Sequence, residues 1–383
     1  VLKPISLYLH VPFCSKRCDY CHFYVVTGLN NLIPEYVARL VEEIKAAAAA
    51  LSEYQVQTIY IGGGTPSLLS PEQLETILAT TREQLGVAQN LEITLETNPE
   101  DIDVVKLKAF YAAGITRLSV GLQAAQDHLL SQMGRTYTRE GFATIAGQIK
   151  NTGFTNYNFD LIFGLPHQTL TDWEDSLDFA LSFNPTHLSC YSLELDHQSV
   201  FGQKYRKGLL IPPNDAENRA CYTLAQEKLA TAGFTQYELS NWSKPDFECH
   251  HNVNFWHNQP YYGFGAGAHS FFENKTWSNV PIVKKYLAAD FSHKTQQQSI
   301  EVISKKQQIE ESVVLGLRLI NGIAIPEWEK RYGVSFRETF ESALPLLQNQ
   351  NLITLTKNQV KLTAKGKDLF DTVAAELLRS VQQ

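Results

Sequence analysis

Positive charge is in short supply in this chain: 33 Lys and Arg stand against 40 Asp and Glu, for a formal net charge of −7. That balance argues against a protein whose main work is to coat nucleic acid or an anionic membrane. Long apolar runs are missing too. No stretch reaches the roughly 18 apolar residues of a membrane-spanning helix. The start, Val1-Leu2-Lys3-Pro4, lacks the charged-then-apolar layout of a secretory leader, so a cytoplasmic protein is expected. Cysteine is sparse: six in 383 residues cannot build a disulfide scaffold. What is present is an apolar share of 44%, ordinary for a globular protein and enough for a real core. The length suggests two or three domains, or one large α/β barrel with an appendage. The cysteines are unevenly spread, with three between positions 14 and 21.

Short β-rich apolar runs at 5–11, 58–61, 91–96, 117–122, 157–163 and 187–193 alternate with helical stretches at 35–51, 71–85, 101–113, 139–152 and 171–183. Ser70-Pro71 reads as an N-cap followed by proline at the first helical position. Asn98-Pro99-Glu100-Asp101 is a further start, and Gly114 and Gly153 read as stops. Six βα units in series imply a parallel sheet with right-handed crossovers. A closed barrel needs eight, so an α/β fold built on a partial (β/α)6 barrel is predicted over residues 1–200. Residues 201–295 read as an α+β extension. It holds the Pro212-Pro213 junction, a helix over 215–232, a strand over 236–240 and an aromatic, glycine-rich segment over 254–272. Thr295-Gln296-Gln297-Gln298 reads as a polar linker. Residues 300–383 read as a winged-helix-like module: three helices, a hairpin of 352–356 with 359–363, and a last helix. From Glu301 onward 11 Lys and Arg meet 10 Asp and Glu, and the helix over 335–349 sets Arg337 against Glu338 and Glu341. A DNA reader needs a clustered basic face, so partner docking is expected instead.

The densest chemical signal is Cys14-Ser15-Lys16-Arg17-Cys18-Asp19-Tyr20-Cys21, a C-x3-C-x2-C spacing in the loop after the first strand. A structural zinc site wants four ligands, usually in two pairs, whereas Cys190, Cys221 and Cys249 are isolated. Zinc completed by His22 or His10 is one alternative. A redox pair of Cys18 and Cys21 is another, although such a pair normally opens a helix and needs only two thiols. A cubane 4Fe–4S cluster held by three thiolates would leave one iron open for a ligand. Lys16 and Arg17 are expected to favour the thiolate forms.

Sites in parallel α/β proteins lie at the carboxyl ends of the strands. Here the second strand ends in Gly62-Gly63-Gly64-Thr65-Pro66, whose glycines let backbone approach a ligand and are expected to leave N–H groups free. The third ends in Glu96-Thr97-Asn98-Pro99, a carboxylate suited to ribose hydroxyls. The fourth ends in Gly121-Leu122-Gln123, with Arg135 further on in Met133-Gly134-Arg135. The fifth opens a charge, Asp160, into an apolar run, and a buried Asp needs a partner or a ligand.

The cysteine spacing and the six βα units together resemble the radical S-adenosylmethionine (SAM) superfamily. The resemblance implies that the amino and carboxylate groups of SAM chelate the open iron and that electron transfer yields a 5′-deoxyadenosyl radical. Over nearly the whole chain the pattern is similar to the oxygen-independent coproporphyrinogen III oxidase branch. By that resemblance Tyr8, in Tyr8-Leu9-His10-Val11-Pro12-Phe13-Cys14, and Tyr20 line the SAM site. Gly63, Gly64 and Thr65 contact the methionyl end, and Glu96 holds ribose. Gln123, Arg135 and Asp160 line the rest, with Tyr191-Ser192 adding contacts.

Two departures turn the resemblance toward the HemW-type heme chaperones of the same branch. The oxidases carry a fourth cysteine two residues past the third, where this chain has Phe23. They also carry a long N-terminal extension, whereas 13 residues precede Cys14 here. Cys249-His250-His251-Asn252-Val253-Asn254-Phe255-Trp256 further resembles the HNxxYW motif of those chaperones, with Phe255 in place of Tyr, and 263–270 matches the glycine-rich segment after it. Heme needs an axial imidazole or thiolate and flat apolar surface. His251 or Cys249 could supply the first, with His250 left open as another ligand, and Phe255 and Trp256 the second, beside Asn252. The resemblance implies heme, acceptor hemoproteins (some at a membrane) and a protein electron donor as partners, with a homodimer compatible. An oxidase acting on coproporphyrinogen III and a zinc-loop interaction scaffold are the competing readings.

Overall fold

The computed structural model describes residues 2–381. Six strands, Lys3–Val11, Tyr54–Gly63, Gly86–Thr97, Arg117–Gln123, Tyr157–Phe163 and His187–Ser192, pair in parallel in chain order. Helices Ile33–Ala47, Pro71–Gln84, Val104–Ala112, Arg139–Ile149 and Leu170–Ser182 fall between them. This is the six-unit partial barrel that the βα rhythm predicts. The local signals act as read: Ser70 Oγ accepts from the Gln73 N–H at 3.3 Å, and the Gln73 side chain accepts the Ser70 N–H at 2.8 Å. Gly114 and Gly153 take left-handed φ of 99° and 102°, the conformation that ends a helix without a Cβ clash.

The extension does not stack as a separate layer. Its strand Tyr261–Phe264 adds in parallel to the first barrel strand, so that Ser6 pairs with Tyr261. Strands His269–Phe272, Lys275–Asn279 and Gln297–Val302 continue that edge antiparallel, and Asn241–Ser243 and Thr235–Gln236 extend the other. The polar run at 295–298 thus enters a strand rather than forming only a linker. The strand expected over 236–240 is broken, because the buried Glu238 carboxylate accepts the Ser240 N–H at 3.0 Å and the Asn241 side chain, folding the chain into a turn.

Alternation along the barrel strands sorts the side chains. Leu7, Leu9, Ile59, Ile61, Ile93, Leu95, Leu118, Val120, Phe159, Leu161 and Leu188 join the apolar core. The alternate positions Ser6, Tyr8, Thr58, Tyr60, Glu92, Glu96, Ser119, Asn158, Asp160, His187 and Ser189 are polar, and all but Tyr8 and Glu92 bond to others of the set across strands. Closed (β/α)8 barrels fill their interior with branched apolar side chains. This lumen is polar from mouth to floor.

A second apolar core, including Ile309, Val313, Trp328, Phe336, Phe340, Leu347, Val360 and Leu377, builds the C-terminal module. The hairpin forms as expected (Ile353–Leu355 with Gln359–Leu362) and Ile323–Ala324 joins it. The helix expected over 335–349 divides into Phe336–Thr339 and Leu344–Asn349. Pro345 is the reason: it lacks an N–H and sits instead in the first turn of the second helix. The module docks through Arg331, which donates to the carbonyls of His257 (2.7 Å) and Asn258.

The glycine-rich segment is anchored by Glu43, a buried carboxylate on the first helix. It accepts from Tyr286 OH (2.6 Å), Asn279 Nδ2 (2.7 Å) and the Gly265 N–H (2.8 Å). Burial outweighs these donors and pushes its pKa up to about 7. A carboxyl whose folded value is raised contributes stability that is present below the unfolded value and lost as pH rises through the folded one. Glu43→Gln removes the titration. Wild type should therefore lose more stability than this variant between pH 5 and pH 7, by on the order of 2 kcal/mol in urea unfolding.

Candidate functional site

The mouth of the lumen lies at the carboxyl ends of the strands. There Cys14, Cys18 and Cys21 line one cavity of about 390 Å³. Cys14 follows the first strand in a two-residue strand, Phe13–Cys14, paired with Val26–Thr27, and its sulfur accepts from Thr65 Oγ1 at 3.4 Å. The Cys18–Cys21 turn closes by a Cys21 N–H to Cys18 carbonyl bond of 3.1 Å. The loop is pinned at Asp19, whose N–H donates to the Met133 carbonyl (3.0 Å) and whose carbonyl accepts the Phe201 N–H (2.9 Å). Among the described residues no three His, Cys, Asp or Glu side chains form a group able to hold one metal ion. Three thiols on one cavity are the donor set of a cluster in which each binds a different iron.

Burial pushes all three thiols upward, Cys14 to about 11. Lys16 lowers Cys18 and Arg17 lowers Cys21, in the expected direction, but burial outweighs both. For Cys18 the largest opposing charge is the buried Arg135. Arg135 donates to Asn98 Oδ1 at 2.8 Å and to Tyr20 OH at 2.7 Å, while its Nε has no partner.

The glycine reading is corrected. The N–H groups of Gly63, Gly64 and Thr65 are not free. They donate to Glu96 Oε2 (3.1 Å), the Val11 carbonyl (2.8 Å) and the Phe13 carbonyl (2.8 Å). The glycines serve close chain approach instead. A Cβ on Gly64 would lie 2.6 Å from the Phe13 carbonyl oxygen, and one on Gly63, at φ 118°, 2.7 Å from the His10 ring.

Glu96 accepts from Tyr60 OH at 2.9 Å; burial and then the charge of Asp160 push it up to about 7. Asp160 accepts from Ser119 Oγ (2.9 Å) and Asn158 Nδ2 (2.8 Å), and burial raises it too. Gln123 and Ser192 complete the lining. Of the SAM-site residues read from the sequence, Tyr8 alone is off this wall. It pairs in register with Tyr60 behind the lining, its hydroxyl 3.0 Å from His10 Nδ1 and its ring 6.3 Å from Tyr60.

The second group of residues lies elsewhere. Helix His250–Trp256 covers the floor, at the amino ends of the strands. Glu92 caps it, accepting the N–H groups of His250 (3.1 Å) and His251 (3.0 Å), with the Cys249 sulfur 3.7 Å away. Cys249 is fully buried and pushed up to about 12, so it is a neutral thiol. His251 turns inward, Nδ1 2.9 Å from Thr58 Oγ1 and its ring 5.0 Å from Tyr60; burial pushes it down to about 3. Cys249 is thereby closed to an outside ligand, whereas His251 is partly exposed and held inward by Thr58 and Tyr60. The His250 side chain is 66% exposed. Asn252 is partly exposed, and Phe255 is exposed, 5.2 Å from Trp256. Trp256 lies under the Arg318 guanidinium at 4.5 Å, and Arg318 reaches Glu238 at 3.6 Å.

The chain matches the radical SAM superfamily model over residues 8–180 and the HemN C-terminal domain model over 303–369. It is 36% identical to the heme chaperone HemW of Lactococcus lactis, covering 98% of both chains. It is 35% identical to that of Bacillus subtilis, covering 97% of this chain and 99% of the other. The chain belongs to the HemW family of the radical SAM superfamily. Coproporphyrinogen III oxidase HemN from Escherichia coli superposes with a TM-score of 0.86 at 22% identity, over 98% of this chain and 90% of that one, which speaks for the fold. Membership in the superfamily implies an iron–sulfur cluster and SAM. The residues fit: three thiols share a cavity that also holds a buried cation with an orphaned nitrogen and two half-buried carboxylates.

Tyr60 and Ser119 also line this cavity and were not singled out by motif. For Tyr60 and Ser119 the signal was available: polar residues at alternate positions of otherwise buried strands.

The close approach at Gly64 yields a test. Gly64→Ala forces a methyl onto backbone and should lower stability by about 2 kcal/mol in urea unfolding, together with iron retention after reconstitution. Gly147→Ala, inside the helix Arg139–Ile149 where a Cβ meets nothing within 4 Å, is the control and should leave iron retention unchanged and raise stability by up to about 1 kcal/mol.

Proposed function

We propose that this HemW-family chain is a heme chaperone that carries a 4Fe–4S cluster and SAM and delivers heme to acceptor hemoproteins, some of them at a membrane, in the cytoplasm. The observation that carries this reading is the full-length similarity to proteins named heme chaperone HemW.

Cys14, Cys18 and Cys21 would hold the cluster. When bound, it supplies an iron open to the amino and carboxylate groups of SAM and a route for an electron from a protein donor. The thiols must ionise to bind iron, and Arg135 supports that against burial. Glu96, held by Tyr60 and Gly63, faces the cavity as an acceptor for ribose hydroxyls. Gln123, Arg135 and Asp160 orient the remainder, with Tyr20 fixed by Arg135. Gly63, Gly64 and Thr65 line the cavity toward the thiols, and Ser192 and the exposed Phe23 its rim.

Heme would meet the 249–256 segment from outside. His250 offers the reachable imidazole, and Phe255, braced by Trp256, an apolar ring beside Asn252. His251 and Cys249 support the segment from within.

Anaerobic reconstitution should give about four irons per chain, lost in the Cys14/Cys18/Cys21→Ala variant. Stoichiometric zinc instead would favour the scaffold reading. Heme titration should show His250→Ala binding about tenfold more weakly, a difference of ~1.4 kcal/mol, and His251→Ala close to wild type. Unchanged heme affinity in both would remove the segment as the heme surface. Turnover of coproporphyrinogen III with SAM and reductant would replace the chaperone reading with the oxidase one.

A further inference from the structure

The floor segment and the cavity wall are joined by two routes of named atoms. The first is a strand. Glu92 and Glu96 are four residues apart on one strand, so their side chains leave the same face roughly 13 Å apart. Glu92 holds the backbone of His250 and His251 at 3.1 and 3.0 Å, while Glu96 lines the cavity. The second is a ring. The His251 imidazole sits 5.0 Å from the Tyr60 ring at 36°, and its Nδ1 is 2.9 Å from Thr58 Oγ1, two residues before Tyr60. Thr58 Oγ1 bonds Ser6 Oγ at 2.9 Å, and Ser6 Oγ accepts from Asn254 Nδ2 at 3.3 Å. Tyr60 OH then donates to Glu96 Oε1 at 2.9 Å. Glu96 has two donors fixing its orientation, Tyr60 and the Gly63 N–H. One of the two is packed against His251.

We infer that His251 is a positioning residue for the cavity: it holds Tyr60 so that Glu96 is presented to SAM, and it thereby ties the 249–256 segment to that site. The inference rests on the reading that the cavity takes SAM and that the segment carries a heme surface. His251 itself touches neither ligand. A tie of this kind is reciprocal. Heme that shifts the segment changes SAM affinity by the same factor that SAM changes heme affinity.

The test is isothermal titration of SAM into the full-length, cluster-loaded protein. Wild type is compared with His251→Ala, Tyr60→Phe and the double variant. Each single change should weaken SAM binding about tenfold, and the double variant should bind no more weakly than Tyr60→Phe alone, because both act through one hydroxyl. General loosening of the fold would give additive losses instead. Where His251→Ala does not fold, His251→Gln, which keeps a polar end for Thr58, carries the same comparison. As a second readout, saturating SAM should shift heme affinity severalfold in wild type and leave it unchanged in Tyr60→Phe. Equal SAM affinity in wild type and the His251 variant, or additive single losses, would overturn the coupling and leave the SAM reading standing. No SAM binding by cluster-loaded wild type would overturn both.

Discussion

Six parallel strands turn polar side chains toward a shared interior, and each of those groups has to find a partner away from bulk water. That constraint organises the molecule. Ser119, Asn158 and Asp160 satisfy one another across two strands, and His187 and Ser189 join them at Asn158. Glu96 is met by a tyrosine and a backbone amide, and Glu92 by two amides of the segment that covers the floor. An apolar lumen would pack more tightly and bind nothing of this kind. A polar one leaves Arg117 Nε and Thr94 Oγ1 without partners and sets two carboxylates with raised pKa values along one wall. The resulting interior suits a ligand with hydroxyl and cationic groups.

At the mouth, backbone approach replaces side-chain contact as the governing term. Gly64 and Thr65 donate to the strand that leads into Cys14, which fixes the first thiol against the second barrel strand. Arg135 gathers Tyr20 and Asn98 from two other strand ends. The cysteine loop is therefore held from both sides before any iron arrives, and ordering it carries less entropy loss on binding.

The sequence was informative wherever the signal is local. Strand and helix order, the Ser70 cap, the glycine stops and the cysteine spacing were all legible, and most residues chosen from strand-end motifs converge on one cavity. Pro345 was legible too, and reading one helix through it ignored what proline does. The orientation of His251 was not. Whether a histidine twelve residues before a glycine-rich stretch faces out or in depends on which strand end it covers, and that is set by pairing with residues nearly two hundred positions away. The glycine amides were misjudged for a related reason. A free N–H and one bonded to a distant strand look the same in a sequence.

Ser6 pairs with Tyr261, and the first strand lies between that late partner and the second strand. On the ribosome this order has a cost in time. At roughly 5–20 residues per second, the first strand waits on the order of 10–50 s for its neighbour to emerge. The lumen lacks its floor until 249–256, made just before that neighbour, has emerged. For that interval the nascent barrel carries an open strand edge and an uncovered polar interior. The last element to close it lies on the far side of the chain from the cysteines that were made first.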